Sequence, residues 1–397
     1  MDQEPLTLKQ AAERVGVTPP TLRRWAESGV IPDVNGRASW SDVAVSHARV
    51  VARMRDRGHS LEHIRRAGEQ GRLAYGYIEG LFPHDQPSHS VDDAAEGSGL
   101  EPALIERFWA SIGLPPAALR RLTEEDTQAI RYVASVLEAG FPLVAFLQLC
   151  RVYGQALAQI ADAEVRLFHL YVHEPLMREG VPGLEMAEEM EGLARDLLPI
   201  SSPLMDYIHR RFLQHFVEQD VVGHMETELD EEDADVGRVR VGIAFADLAG
   251  YTRFTEEEGE EEALSSVERF VDGVTNTLPD NARVVKTIGD EVMVVGQDVG
   301  ALVDWGVGFT GMFEERPEPR IGIHSGSTLY RDGDYFGREV NTASRVVARA
   351  RGGEVLVTDS VVDAVRDASH LRFEEIGQVK LKGFDQPRRM FRASARA

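Results

Sequence analysis

The spacing of apolar positions changes character three times along this chain of 397 residues. Over residues 6 to about 72 it comes in short helical stretches. LTLKQAAERVGV places Leu8, Ala11, Ala12 and Val15 on one face, and Gly16 supplies the tight turn that follows. Thr18 as N-cap and Pro19 in the first turn announce a second helix, which carries Leu22, Arg23, Arg24 and Trp25. Asp33, Asn35 and Gly36, within Pro32 to Trp40, are turn residues that suggest a wing. Ser41 and Ser60 then cap two further helices, the first running to about Arg57.

From Pro83 to Gly99 the periodicity lapses into Pro, Ser, His, Asp and Gly, the composition of a linker. Residues 100 to about 226 return to helical spacing, clearest in Ala129 to Leu137, Phe141 to Leu157 and Pro203 to Val217. An acidic stretch at 228 to 237, ELDEEDADVG, ends that region as a solvated connector. Beyond Val239 strands are expected at 239–246, 282–288, 291–296, 320–325, 354–358, 371–376 and 389–393, and helices at 261–278, 299–313, 341–351 and 360–367. With a hairpin at Gly289 and Asp290, this alternation predicts an α+β sheet with helices on one face.

Charge and cysteine content narrow the classes open to the chain. The formal charge of −23 argues against the whole chain coating nucleic acid. Residues 1 to 85, however, hold 12 basic against 11 acidic side chains, so any such contact belongs to the N-terminal part. Cys150 is the one cysteine, which excludes an intrachain disulfide and suits a reducing compartment. MDQEPLTLKQ lacks the basic and apolar regions of a signal peptide. Apolar runs such as Phe141 to Leu147 fall short of the roughly 20 residues that span a bilayer. A cytoplasmic protein without membrane contact is expected.

Three ordered blocks carry candidate chemistry: VGIAFADLAGYTRFT containing Asp247, KTIGD containing Lys286 and Asp290, and GDYFGREVNTASR containing Asp334, Asn341 and Arg345. Taken singly, an Asp after a strand is equally a turn or cap residue, and Asn341 a helix cap. Together, over roughly residues 237 to 395, the blocks resemble the catalytic domain of class III nucleotidyl cyclases, and specifically the adenylyl cyclases. The resemblance implies a ferredoxin-like catalytic domain that cyclises ATP to 3',5'-cyclic AMP and pyrophosphate. It further implies two Mg²⁺ or Mn²⁺ ions per site on Asp247 and Asp290, carboxylates being ligands for hard cations. Lys286 and Asp334 match the positions that recognise adenine, where guanylyl cyclases typically carry glutamate and cysteine. Asn341 matches the residue orienting the ribose. Arg345, four residues on and so on the same helical face, matches the one stabilising charge on the α-phosphate. Arg320 in PRIGIHSG and Lys382 in VKLKGF match positions touching the terminal phosphates. Backbone N–H groups after Gly250 are candidates to cradle phosphate oxygens. Tyr251 stands where many members have Phe, and His324 reads as a core or turn histidine.

Sites of this class lie between two catalytic domains, so a homodimer with two composite sites is implied. Asp247, Asp290 and Arg320 would come from one copy, and Lys286, Asp334, Asn341, Arg345 and Lys382 from the other. Residues 1–82 are similar to the MerR-like helix-turn-helix family, with 83–99 as linker. Residues 100–228 loosely resemble an all-α regulatory region, 229–236 form the acidic linker and 237–397 the catalytic domain. Arg23 and Arg24 suit a recognition helix, so DNA or a protein is a candidate partner of the first module. His209, His215 and His224 raise the prospect of a pH response. A second reading stays open: a DNA-binding transcriptional regulator whose cyclase-like domain senses nucleotide without turnover.

Overall fold

The computed structural model describes residues 6–31, 40, 42–73, 89–181, 183–226, 237–313, 315–366 and 368–396. The chain forms two compact units that divide between Arg211 and Phe212. In the first, α1 (Leu8–Val15) opens on a reciprocal cap between Thr7 and Gln10 and closes on Gly16 at φ 77°. Thr18 caps α2 (Pro19–Glu27) and Ser60 caps α4 (Leu61–Glu69), on either side of α3 (Asp42–Asp56). Ala11, Ala12, Leu22, Trp25, Ala48 and Val51 are buried together among these helices. An antiparallel bridge joins Leu6 to Trp40. The expected wing residues 32–39 and the cap Ser41 lie outside the described residues.

One expectation fails in the segment read as linker, where Val91–Ser98 is a helix, α5. Ser90 and Asp93 cap it reciprocally and Ala94 is buried. Their polar side chains, which suggested a loop, instead satisfy the free N–H groups of a two-turn helix. Then follow α6 (Pro102–Ile112), α7 (Glu124–Glu138), α8 (Leu143–Phe168), a π-helical turn (His169–His173), α9 (Glu174–Arg178) and α10 (Gly183–Glu226). The continuous helical stretch Leu143–Arg178 is long and apolar enough to cross a membrane by length and composition, which the short apolar runs in the sequence did not suggest. Phe146, Leu147 and Cys150 of that stretch are buried in the helical core. Residues 227–236, including the expected acidic linker, lie outside the described residues.

The second unit is built on β1 (Arg238–Leu248), α11 (Tyr251–Glu258), α12 (Glu260–Thr277), β2 (Ala282–Ile288), β3 (Glu291–Gly296), α13 (Val299–Thr310), β4 (Pro319–Arg331), β5 (Asp334–Phe336), α14 (Arg338–Val347), β6 (Val355–Thr358), α15 (Asp359–Ala364), β7 (Leu371–Val379) and β8 (Arg388–Ala395). The strands form one sheet in the order β2-β3-β1-β4-β6-β8-β7, with β5 beside β4. Only β4 and β6 run parallel among these pairs.

Both faces of β1 are apolar, so both need cover. Ala244, Ala246 and Leu248 meet α12 and α13 through Phe270, Val303 and Phe309. Val241, Ile243 and Phe245 meet α14 through Ala343 and Val347. The expectation of helices on one face therefore holds for α12, α13 and α15 but not for α14. Gly322 makes the close approach of α14 possible: a Cβ there would stand 2.1 Å from the Val347 nitrogen.

Candidate active site

Side chains alternate along β1, so Asp247 continues the α14-facing row of Val241, Ile243 and Phe245 at the point where apolar residues run out. Its neighbours across the sheet are Glu291 on β3 and Arg320 on β4. Arg320 Nε donates to Asp247 Oδ2 at 2.9 Å, a second contact comes from Nη2, and Nη1 reaches the Ala350 carbonyl at 3.4 Å. Asp290 sits in the β2–β3 turn after Gly289, at φ 63°. Its carboxyl lies within hydrogen-bonding range of Asp247, and burial together with that neighbour pushes its pKa up to about 6. Burial, then Asp247 and Asp290, push Glu291 upward as well. Beyond Gly250, at φ 73°, α11 begins at Tyr251 and presents first-turn N–H groups that the helix itself does not use.

One same-face row inward lies the second cluster, an ion pair between Lys286 and Asp334. The β2–β3 register slips between Val284 and Lys286, so Val285 is an extra residue. Without that bulge Arg283 and Lys286, three apart, would point to opposite faces. With it they stand opposite Val295 and Met293, both of the α14-facing core. Asp334 arrives on β5, which the Asp332–Gly333 turn, at φ 52° and 79°, folds back along β4. Tyr335 N–H donates to Asp334 Oδ1 at 2.8 Å, while Oδ2 meets Lys286.

On α14, Thr342, Ala343, Val346 and Val347 are buried while Asn341 and Arg345 stay exposed on the opposite side. Arg345 acts electrostatically on Glu291. Lys382 is exposed in the segment between β7 and β8. His324 is buried and binds Glu339 of α14 through Nε2, with Nδ1 2.8 Å from the Thr358 hydroxyl. Burial lowers its pKa against the opposing pull of Glu339. The neutral ring must then donate from Nε2 to the carboxylate and accept at Nδ1, an anchoring arrangement for α14.

Structure thus unites Asp247, Asp290 and Arg320 in one cluster, and Lys286 and Asp334 in another. Sequence reasoning had missed Glu291, Arg283, Tyr335 and Glu339. The Asp332–Gly333 dipeptide was a legible hairpin signal for Tyr335, and Glu291 directly follows Asp290. Of the three histidines noted for pH response, His209 and His215 are exposed, and the His224 side chain lies outside the described residues.

Family models match three parts of the chain. Residues 237–392 match the adenylate and guanylate cyclase catalytic domain, 41–217 the adenylate cyclase regulatory domain, and 6–70 the MerR HTH family regulatory protein. The solved structure of the adenylyl cyclase CyaB from P. aeruginosa is 22% identical, covers 40% of this chain and 96% of that one, and has a TM-score of 0.36. A pH-sensitive adenylate cyclase of Mycobacterium tuberculosis is 28% identical, covering 93% of each chain. An adenylate cyclase of Streptomyces coelicolor is 32% identical over 300 residues, 73% of this chain and 76% of the relative. With that extent of likeness, and with the cyclase blocks gathered on one sheet face, the chain belongs to the class III adenylate cyclase family.

Proposed function

We propose that the second unit converts ATP to 3',5'-cyclic AMP and pyrophosphate at composite sites formed by two copies of the chain. The supporting observation is the pair of carboxylates, Asp247 and Asp290, drawn together on the sheet face that also carries Lys286 and Asp334. Three carboxylates, Asp247, Asp290 and Glu291, stand against Arg320 and the influence of Arg345, so negative charge is in excess there. An all-oxygen donor set with uncompensated charge fits Mg²⁺ or Mn²⁺, two per site. Asp247 and Asp290 would hold these ions, which supply charge neutralisation at the phosphates.

Adenine is recognised by Lys286, donating to a ring nitrogen, and by Asp334, accepting from the amino group. Guanine presents the reverse pattern at its six-position, setting an acceptor against Asp334 and a donor against Lys286. Asn341 orients the ribose so that the 3'-oxygen stands in line with the α-phosphorus. That oxygen bonds to phosphorus, the bond to the bridging oxygen breaks, and pyrophosphate leaves with the electron pair while the hydroxyl proton passes to water. Arg345 stabilises charge gathering on the α-phosphate. Arg320 and Lys382 contact the terminal phosphates, and α11 offers its first-turn N–H groups.

Asp247, Asp290 and Arg320 serve from one copy, and Lys286, Asp334, Asn341, Arg345 and Lys382 from the other. Exposed apolar side chains of α8 and α10, among them Leu157, Ile160, Leu204 and Tyr207, support pairing of copies. Residues 1–228 control the enzyme in the cytoplasm. The helix-turn-helix module takes a protein or DNA partner through α2, where Arg23 and Arg24 are exposed. Mobility shifts across salt concentrations separate those partners.

Incubation of purified protein with ATP or GTP and Mn²⁺, beside Asp247→Ala, tests the central assignment. Cyclic AMP from ATP and its loss in the variant support it. Equal yield from both proteins overturns the metal assignment, and tight ATP binding without cyclic product identifies a nucleotide-sensing regulator instead.

A further inference from the structure

Arg283 has no role in the chemistry above, yet it holds Tyr335, the residue next to Asp334 whose backbone N–H binds that carboxylate. Its Nη2 donates to the Tyr335 hydroxyl at 2.9 Å. Its Cζ lies 5.4 Å from the ring centre of Phe216, 5.8 Å from that of Tyr330 and 5.7 Å from that of Tyr335. Among the described residues no carboxylate pairs with it. Tyr335 is 7% exposed, and its backbone N–H is the group that orients Asp334. Strands β2 and β5 are therefore tied by two rungs, Arg283 to Tyr335 and Lys286 to Asp334, both made possible by the bulge at Val285.

The other side of Arg283 belongs to α10. Within residues 212–219, which fall in the second unit, Phe216 and Gln219 are half-buried and the rest are exposed. Three apart, they share one helical face. Gln219 bonds the Asp280 carbonyl, three residues before Arg283. The end of α10 is thereby seated on the start of β2. A guanidinium enclosed by aromatic faces is held by each of them, so removing one wall loosens the rest.

We propose that Arg283 is a positioning residue for base recognition, which carries the seating of α10 through Tyr335 to the Lys286–Asp334 pair. The proposal rests on the assignment of that pair to adenine. When Phe216 shifts, Arg283 loses a wall, its hold on the Tyr335 hydroxyl weakens, and the strand that presents Asp334 is released. A signal arriving along α10 is then read as a change in KM and in base selectivity, with kcat little altered.

The test uses the full chain with saturating Mn²⁺ and measures kcat and KM for ATP and for GTP. Tyr335→Phe removes the acceptor alone, Arg283→Lys keeps the charge without the planar fork, and Phe216→Ala removes the distant wall. Each is expected to raise the KM for ATP by about 3- to 10-fold, the loss of one hydrogen bond or stacking contact. The ATP-over-GTP ratio of kcat/KM should fall with it while kcat stays within about twofold. Phe216→Tyr, which restores a ring, should return both quantities to the parent values. An unchanged KM and ratio in Tyr335→Phe and Phe216→Ala, or a fall in kcat alone, overturns the relay. Lys286→Ala measured alongside separates the two levels. If it shifts KM and selectivity while the others do not, the relay alone is wrong; if it too leaves both unchanged, the adenine assignment falls and takes the relay with it.

Discussion

At the end of β1, Asp247, Asp290 and Glu291 crowd around Arg320, with Arg345 acting on Glu291 as well, whereas one row inward Lys286 and Asp334 cancel each other's charge within the chain. Both clusters lie on the α14-facing side of the same sheet. The difference separates two tasks. On the proposed reading, carboxylates crowded together with excess negative charge would receive cations, and burial followed by the neighbouring carboxylates raises the pKa of Asp290 and of Glu291. A neutralised donor and acceptor, on strands β2 and β5 that are not paired in the sheet, would instead present a hydrogen-bonding edge. Reaction rate should depend mainly on the first cluster and substrate choice on the second.

The sharpest way to break this comparison is Asp290→Asn, which keeps the shape and removes the charge. Cyclic AMP formation should fall by roughly 100- to 1000-fold, the scale of losing a preorganised electrostatic group at a reacting centre. A variant that retains more than about a tenth of the parent rate contradicts the division. The complementary double change, Lys286→Glu with Asp334→Cys, should lower the ATP-over-GTP ratio of kcat/KM by about 10- to 100-fold. An unaltered ratio would move base recognition elsewhere.

Acidity sharpens the contrast further. Asp290 must lose its proton to bind a cation, and its pKa is raised to about 6. The Mn²⁺ concentration giving half-maximal rate should therefore be flat above pH 7 and rise by about tenfold per pH unit below 6, because proton and cation compete. Lys286→Ala should keep that same profile. In metal-free protein the sign is opposite to that of an ordinary ion-paired carboxylate. The native state holds the Asp290 proton more tightly than the unfolded chain, so this group adds stability as pH falls from about 6 toward 3.8. Thermal melts with and without Mn²⁺ would show the two trends diverging. The smallest effect belongs to Arg389→Ala, which breaks an exposed pair with Glu375 on the far edge of the sheet and should leave rate and selectivity unchanged.

Much of this architecture was legible before any fold was seen, and the exceptions share a cause. The seven expected strands and the helices at α12 to α15 were marked by apolar spacing, and Thr18 and Ser60 occupy the caps expected of them. α11 buries none of its residues, so it left no periodic signal. β5 is three residues long, too short for alternation to register, although the Asp332–Gly333 turn announced it. The bulge at Val285 was invisible because it exists only relative to β3. α14 was placed on the wrong side because helical spacing says which face of a helix is apolar, not which face of a sheet will receive it.

The sequence alone determined which residues share a face, where helices begin, and that Asp247, Lys286, Asp290, Asp334, Asn341 and Arg345 form ordered blocks. Those are local properties, set by backbone periodicity and capping over a few residues. Tertiary structure alone decided that Arg320 faces Asp247 across 73 residues of chain, and that Lys286 reaches Asp334 across 48. Such meetings depend on strand order, register and one bulge, which arise from burying both faces of β1 at once. The same burial set Arg283 between α10 and Tyr335, a position that no spacing along the chain encodes.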